Sequence, residues 1–294
     1  MRVVIAGGSG FLGQALADSL GRHGHEVQIL TRRPRGPGHI AWTPDGDPGP
    51  WAASLEGAGA VVNLAGEGIA DRRWTPARKA ALVESRIRAT TSLVRAVRER
   101  TTPPAVFVSA SGIGYYGATG DEPVDESAPP GSDFLAQLAV QWEHAAAPAG
   151  TACRLVLLRT GMVLGHGGAL QQMLLPFKLG LGGRLGSGRQ WMPWIHVDDW
   201  VALVERLIAD ERASGPFNLA APAPVRNREF TRALGHALSR PAFLPVPAFA
   251  LSLAFGELAQ VLLTGQRAVP HRAEQLGFTF AYSSIDVALA AAVR

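Results

Sequence analysis

The chain has 294 residues, 47% of them apolar and 18% charged, a balance that excludes a disordered protein and leaves room for one elaborated domain or two small ones. Its net charge of +4 comes almost wholly from arginines, scattered without a run of five or six, so the charge gives no nucleic-acid footprint. The single cysteine, Cys153, excludes an internal disulfide and suits a reducing cytosol, which sets a cytoplasmic expectation.

Residues 2–6 (RVVIA) read as a buried parallel strand that ends in a glycine cluster. From Phe11 to His23, Leu12, Leu16 and Leu20 recur at helical spacing, and Gly24 closes the helix. Glu26 to Thr31 is a second strand, which completes a βαβ unit. Residues 58–66 form the next strand. Thr75-Pro76 opens a long amphipathic helix that reaches Arg100, with threonine as cap and proline in the first turn. Strand 105–111, helix 134–147 and strand 153–161 follow, and Cys153 reads as a small core hydrophobe of that last strand. Such alternation predicts an α/β fold, a doubly wound parallel sheet of the Rossmann type.

After Gly165 the texture changes. Residues 167–188 are rich in glycine and short of strand signals, which suits a mobile or ligand-facing segment. Residues 192–209 read as a short strand feeding a helix, and 216–222 as a strand. The apolar run 243–263 contains Pro245, Pro247, Glu257 and Gln260, and reads as a core-packed helix rather than a membrane span. Residues 277–283 alternate like a final β piece. The expected division is a cofactor-binding domain over 1–165 plus about 192–222, and a smaller interleaved C-terminal lobe over about 166–191 and 223–294. No signal peptide is expected, because the chain starts directly with a strand.

The first loop carries the chemistry. Gly7, Gly10 and Gly13 form G-x-x-G-x-x-G between a strand and a helix, the context that turns a glycine pattern into a dinucleotide site. Gly7 permits the tight turn, Gly10 lets backbone N–H groups approach a pyrophosphate, and Gly13 lets the helix pack close to the sheet. The second strand then selects the cofactor. It ends in Thr31-Arg32-Arg33 with no acid, so a ribose 2′-phosphate is favoured over a free 2′-hydroxyl, and NADP(H) over NAD.

With GGSGFLG (7–13), NLAG (63–66) and YYG (115–117) in view, the chain resembles an extended short-chain dehydrogenase/reductase. LTRRP, SRIRATTSL, DFLAQLAVQWEHAA, RTGMVLG and the tail GQRAVP…GFTF narrow the resemblance to the atypical "epimerase family protein" group, which ends in a small C-terminal domain of undefined role. The resemblance spans essentially the whole chain. It implies NADP(H) contacts from Gly7, Gly10, Phe11 and Leu12 at the pyrophosphate and from Thr31 and Arg32 at the adenosine phosphate, with Leu64, Ala65, Arg86 and Val163 completing the site. On the catalytic side the chain departs from the superfamily. No Tyr-x-x-x-Lys exists, and the segment similar to it is Phe134-Leu135-Ala136-Gln137-Leu138. A phenyl ring gives up no proton, so the standard acid/base pair is absent. Either Ser111 and one of Tyr115 or Tyr116 act instead, or the site binds cofactor without the usual redox step; the two tyrosines equally suit core aromatics that shape the nicotinamide pocket.

His196, Asp198 and Asp199 tempt a metal reading, but no second cluster completes a ligand set, and capping of the following helix is the expectation. Glu67 suits either the substrate cleft or the surface. Gln190, Trp191 and Trp194 suit a pocket wall. The expected function is an NADP(H)-dependent oxidoreductase or isomerase on a small carbonyl or hydroxyl substrate, without nucleic-acid or membrane partners and compatible with a homodimer. The rival readings are a cofactor-binding regulator, for example one linked to cell division, and a nucleotide-sugar epimerase, which the missing Tyr/Lys pair disfavours.

Overall fold

The computed structural model describes all 294 residues. In chain order its first half holds β1 (Arg2–Ala6), α1 (Phe11–Arg22), β2 (Glu26–Thr31), β3 (His39–Ala41), β4 (Ala60–Asn63), α2 (Pro76–Arg98), β5 (Val106–Gly112), β6 (Pro123–Val124) and α3 (Phe134–Ala146). The second half holds β7 (Arg154–Thr160), β8 (Met162–Leu164), α4 (Gly168–Lys178), β9 (Trp191–Met192), β10 (Trp194–His196), α5 (Val197–Ala209), β11 (Gly215–Leu219) and β12 (Val225–Arg226). It ends with α6 (Asn227–Ala237), α7 (Ala248–Phe255), α8 (Ala259–Leu263), β13 (Arg267–Ala268), α9 (His271–Gln275) and α10 (Ile285–Ala292).

Seven strands form one sheet in the order β11-β7-β5-β4-β1-β2-β3. Every pairing is parallel, so helical crossovers must cover both faces. The pleat sorts the residues. Val3 and Ile5 face one layer with Leu16, Leu20, Trp200 and Leu203, while Val4 and Ala6 face the other with Leu93 and Val97. Chain order reverses between β1 and β4, which opens a crevice at their carboxyl ends. A third core joins Leu164, Leu170 and Trp194 to Phe230, Leu234 and Leu289, and so ties α10 to the middle of the chain.

Two local expectations hold at atomic detail. Thr75 Oγ1 accepts a hydrogen bond from Arg78 N at 3.1 Å and caps α2. Gly24, with φ of +78°, follows the last turn of α1.

Three others are corrected. Residues 168–178 form α4, so the glycine-rich stretch is helical in its first half. The run 243–263 is not one core-packed helix. Gly256, at φ +61°, divides α7 from α8, and Phe249 and Leu253 are 75% and 78% exposed, because the run is apolar on all sides and only Leu251, Leu258 and Ala259 meet the core. Residues 277–283 form no strand. Their alternation places Phe278 and Phe280 edge to face at 4.9 Å against the core, and the amides of Ala281 and Tyr282 donate to the Asp199 carboxylate instead of a neighbouring strand. No helix is long and apolar enough to cross a membrane.

Candidate dinucleotide site and the polar network behind it

The glycine loop is shaped by close approach. Gly7 has φ of +80°, and a Cβ there would stand 2.7 Å from the carbonyl of Leu64 and 2.9 Å from Ala65 N. At Gly13 a Cβ would stand 2.4 Å from Gly7 O and 2.6 Å from Gly8 Cα, so only glycine lets α1 dock on the loop. Gly10 is the N-cap of α1 and offers no side chain to the free amides of the first turn. Those amides and the positive end of the helix dipole suit an anion. Phe11 lies under the turn after β8, where a Cβ on Gly167 would stand 2.7 Å from its ring. The loop thus brings Gly7, Gly10, Phe11 and Leu12 together with Leu64 and Ala65, and reaches Val163 through that turn.

Arg86 lies beneath Gly66, whose Cβ would stand 3.2 Å from its side chain. Its guanidinium donates to Leu82 O at 3.0 Å and to Glu67 O at 2.8 Å, and sits 5.0 Å from the centre of the Trp142 ring. Burial pulls its pKa down to about 10, and the nearby Arg78 charge acts in the same direction. Its Nε is buried with no partner, so one donor of the site is uncommitted. Thr31 Oγ1 accepts from Arg33 N at 3.3 Å, and both Arg32 and Arg33 are exposed. Arg32 borders a hollow of about 400 Å³ shared with Trp42, Thr43 and Asp45. These residues fit a dinucleotide: a glycine cradle, open amides, an orphan donor and free cations stand in one row along the sheet end.

Asn63 braces that row. Its Nδ2 donates to Thr90 Oγ1 at 2.9 Å and its Oδ1 accepts from Ala65 N at 3.2 Å, while Trp142 Nε1 also donates to Thr90 at 2.9 Å. Sequence reasoning missed this role, although a buried Asn within AVVN was the signal for it.

Behind the carboxyl ends of β5, β7 and β11 lies a buried polar chain. Ser111 Oγ donates to Glu143 Oε1 at 2.7 Å. Arg159 grips the same carboxylate through Nε at 2.8 Å and Nη2 at 2.9 Å. Arg159 Nη1 donates to Tyr116 Oη at 3.0 Å, and Tyr116 donates to Asn218 Oδ1 at 2.7 Å. Asn218 N donates to Glu126 Oε1 at 2.9 Å, and Arg272 N reaches the same carboxylate from α9. Burial pushes the Tyr116 phenol up to about 12, against the opposing pull of Arg159. Glu126 is also raised, chiefly by burial. The hydrogen bonds and charge of Glu143 outweigh burial at Arg159 and hold it firmly protonated. Tyr115 stands apart: its ring lies against the Arg159 guanidinium, with Cζ 3.4 Å from the ring centre.

The remaining polar candidates take structural places. His196 Nδ1 accepts from Asp198 N at 3.2 Å and its ring stacks on Tyr282 at 3.8 Å. Asp199 accepts from the amides of Ala281 and Tyr282 at 2.8 and 2.9 Å. Trp194 is fully buried and donates to Ala223 O at 3.1 Å. Trp191 lies between the guanidinium groups of Arg226 and Arg267, at 4.5 and 4.9 Å. Gln190 donates to Leu185 O and Leu262 O, and exposed Glu67 pairs with Arg78. Burial pushes the Cys153 thiol up to about 11, which suits an inert core position.

Comparison with known proteins agrees with this geometry. Residues 3–220 match the NAD dependent epimerase/dehydratase family, and residues 246–292 match a domain of unknown function, DUF1731. The chain is 47% identical over 292 residues to epimerase family protein Mb2239 of Mycobacterium bovis, covering 98% of this chain and 96% of that one. It is 41% identical over 294 residues to epimerase family protein SDR39U1 of Mus musculus, covering 98% of each. The crystal structure of human epimerase family protein SDR39U1 (isoform2) with NADPH superposes with a TM-score of 0.93 at 38% identity over 99% of both chains. Glycine cradle, sheet order and full-length similarity agree: the chain belongs to the NAD dependent epimerase/dehydratase family, among the members that end in the DUF1731 domain.

Proposed function

We propose that the chain is an NADP(H)-dependent oxidoreductase or isomerase acting on a small molecule at a carbonyl or hydroxyl carbon. One observation carries the choice of cofactor. β2 ends in Thr31-Arg32-Arg33, two exposed guanidinium groups and no acid, one strand away from the glycine cradle. A guanidinium pairs with a 2′-phosphate, whereas the carboxylate that would hold a free 2′-hydroxyl is missing. The NADPH in the human relative supports the same reading.

Gly7, Gly10, Phe11 and Leu12 hold the pyrophosphate in this reading, Thr31, Arg32 and Arg33 the adenosine phosphate, and Leu64, Ala65, Arg86 and Val163 the rest of the cofactor. When bound, the reduced cofactor supplies a hydride to an electrophilic carbon. The chain's own residues position the reacting groups and move the proton. Ser111 and Tyr116 have their protons committed to Glu143 and Asn218, and so form the rigid wall behind the site. Tyr115 is the sequence candidate whose hydroxyl makes no hydrogen bond within the chain. Residues 1–165 with 192–222 carry the cofactor, and 166–191 with 223–294 form the substrate side.

Fluorescence titration tests the cofactor assignment. NADPH is expected to bind at least about tenfold more tightly than NADH, and Arg32→Ala with Arg33→Ala to erase most of that difference. Tighter binding of NADH overturns the assignment. Incubation with NADPH and a panel of small aldehydes and ketones, followed by cofactor absorbance, tests the reaction.

A further inference from the structure

Reduction of a carbonyl leaves an oxyanion that must receive a proton. Ser111 and Tyr116, in the polar network behind the site, are buried and already bonded, which leaves the unbonded hydroxyl of Tyr115, whose ring lies against Arg159. Another proton-bearing group stands where α2 and α3 begin, beyond the carboxyl ends of β4 and β5, and Leu135 of α3 packs there against Gly114. Lys79, in the first turn of α2, donates from Nζ to Glu257 Oε2 at 2.5 Å and lies 5.3 Å from the centre of the Phe134 ring. Phe134 opens α3 and meets Trp74 edge to face at 4.9 Å, and Trp74 is held by its bond to Ile69 O at 3.0 Å. Three segments converge on this ammonium. They are the loop that leaves β4, the first turn of α3, and the turn at Gly256–Leu258, where Arg73 approaches Gly256 as well.

We propose that Lys79 is the proton donor and acceptor of the substrate cleft, aimed by Glu257 across the apolar Trp74–Phe134 wall. This inference rests on the reading of the chain as an NADP(H)-dependent oxidoreductase. An ammonium has three N–H bonds. Glu257 takes one, the aromatic face lets the group stand without a second acceptor, and the side chain stays 28% exposed where α2 begins, beyond the carboxyl end of β4, so a proton remains available there. In the reductive direction a C–H bond forms from the cofactor's hydride, the carbonyl π pair moves to oxygen, and a Lys79 N–H bond breaks as the O–H bond forms. The substrate is reduced, the nicotinamide is oxidised, and water reprotonates the amine. The C-terminal domain thereby takes part in the chemistry, because Glu257 supplies the carboxylate that orients a group on the cofactor side of the chain.

The chain has only two lysines, and Lys178 is exposed at the end of α4, which makes it an internal control. Acetylation by acetic anhydride, read by mass spectrometry, is expected to slow at Lys79 in excess NADPH and to stay unchanged at Lys178. Lys79→Met is expected to bind NADPH within about twofold of the parent and to lose carbonyl reduction by about 100-fold or more. Methylamine should restore part of the rate to Lys79→Ala. Should Lys79→Met fail to fold, Glu257→Gln carries the test, with an expected rate loss of about tenfold or more at unchanged NADPH affinity. Acetylation of Lys79 that ignores NADPH, or turnover by Lys79→Met within about threefold of the parent, overturns the proposal, as does parallel loss of NADPH binding. A parent that binds NADPH and reduces no member of the panel overturns the proposed function, and this assignment with it. An active parent with an equally active Lys79→Met overturns this assignment alone.

Discussion

Arg159 shows how one residue organises the region behind the site. A guanidinium in the apolar strand CRLVLLRTG has to be paired, since an isolated buried charge is far too costly. It is 4% exposed in side chain and bidentate to Glu143, itself 11% exposed. Glu143→Ala leaves that charge without its partner and should cost about 3–5 kcal/mol in urea unfolding, whereas a Glu143→Leu, Arg159→Met double change should recover most of the loss. Tyr116, at the other side of Arg159, couples the network to pH. Burial lifts its folded pKa from 10.0 to about 12, so between those values the native state keeps a proton that the unfolded state has released. This stabilisation is complete below pH 10.0 and is lost as pH rises through about 12. Unfolding midpoints of the parent should therefore fall more steeply across that window than those of Tyr116→Phe, and parallel slopes would remove the tyrosine as the cause.

At the scale of elements, whatever depends on local periodicity was legible. The βαβ alternation, the cap at Thr75, the glycine loop and the basic end of β2 are each written in short stretches of consecutive residues. The losses occur where an element's partner lies far along the chain. An apolar run predicts burial but names no surface to receive it, and α7 has none for Phe249 and Leu253. Alternation at 277–283 predicts a strand only if another strand offers its edge, and Asp199 takes the amides first. Ser111, Glu143, Arg159, Asn218 and Glu126 meet because the sheet order sets β5, β7 and β11 side by side, which no local pattern reveals. The junction of β1 and α1 gives the clearest test of an element-scale argument. Gly13→Ala places a methyl group 2.4 Å from Gly7 O, a backbone atom that cannot rotate away. The helix must shift off the loop, with an expected stability loss of about 1–3 kcal/mol and NADPH affinity reduced at least about tenfold. Gln14→Ala, one residue further along the helix at an exposed position, should leave binding unchanged.

At the scale of the whole molecule, the boundary between the two matched families does not follow the packing. The second family begins at residue 246, yet Ile285, Ala288 and Leu289 of α10 share a core with Leu164 and Leu170, which flank the site, and with Trp194. Arg272 of α9 donates its backbone N–H to Glu126 and a guanidinium hydrogen to Pro216 O at 2.8 Å, which ties the tail to the sheet edge at β11. Deleting residues 246–294 would therefore open an apolar surface inside the fold, and the remaining chain is expected to lose its cooperative unfolding transition. Cys153 offers a reporter far from the cut. Its thiol is half-buried in the layer between the sheet and α2, and burial holds its pKa near 11, so alkylation by iodoacetamide at mildly alkaline pH should be slow in the intact protein. In the truncated chain the same thiol should react near the rate of the urea-unfolded protein. Slow alkylation together with a sharp unfolding transition would show that the cofactor half folds alone, and the shared core would then be an attachment between two independent units.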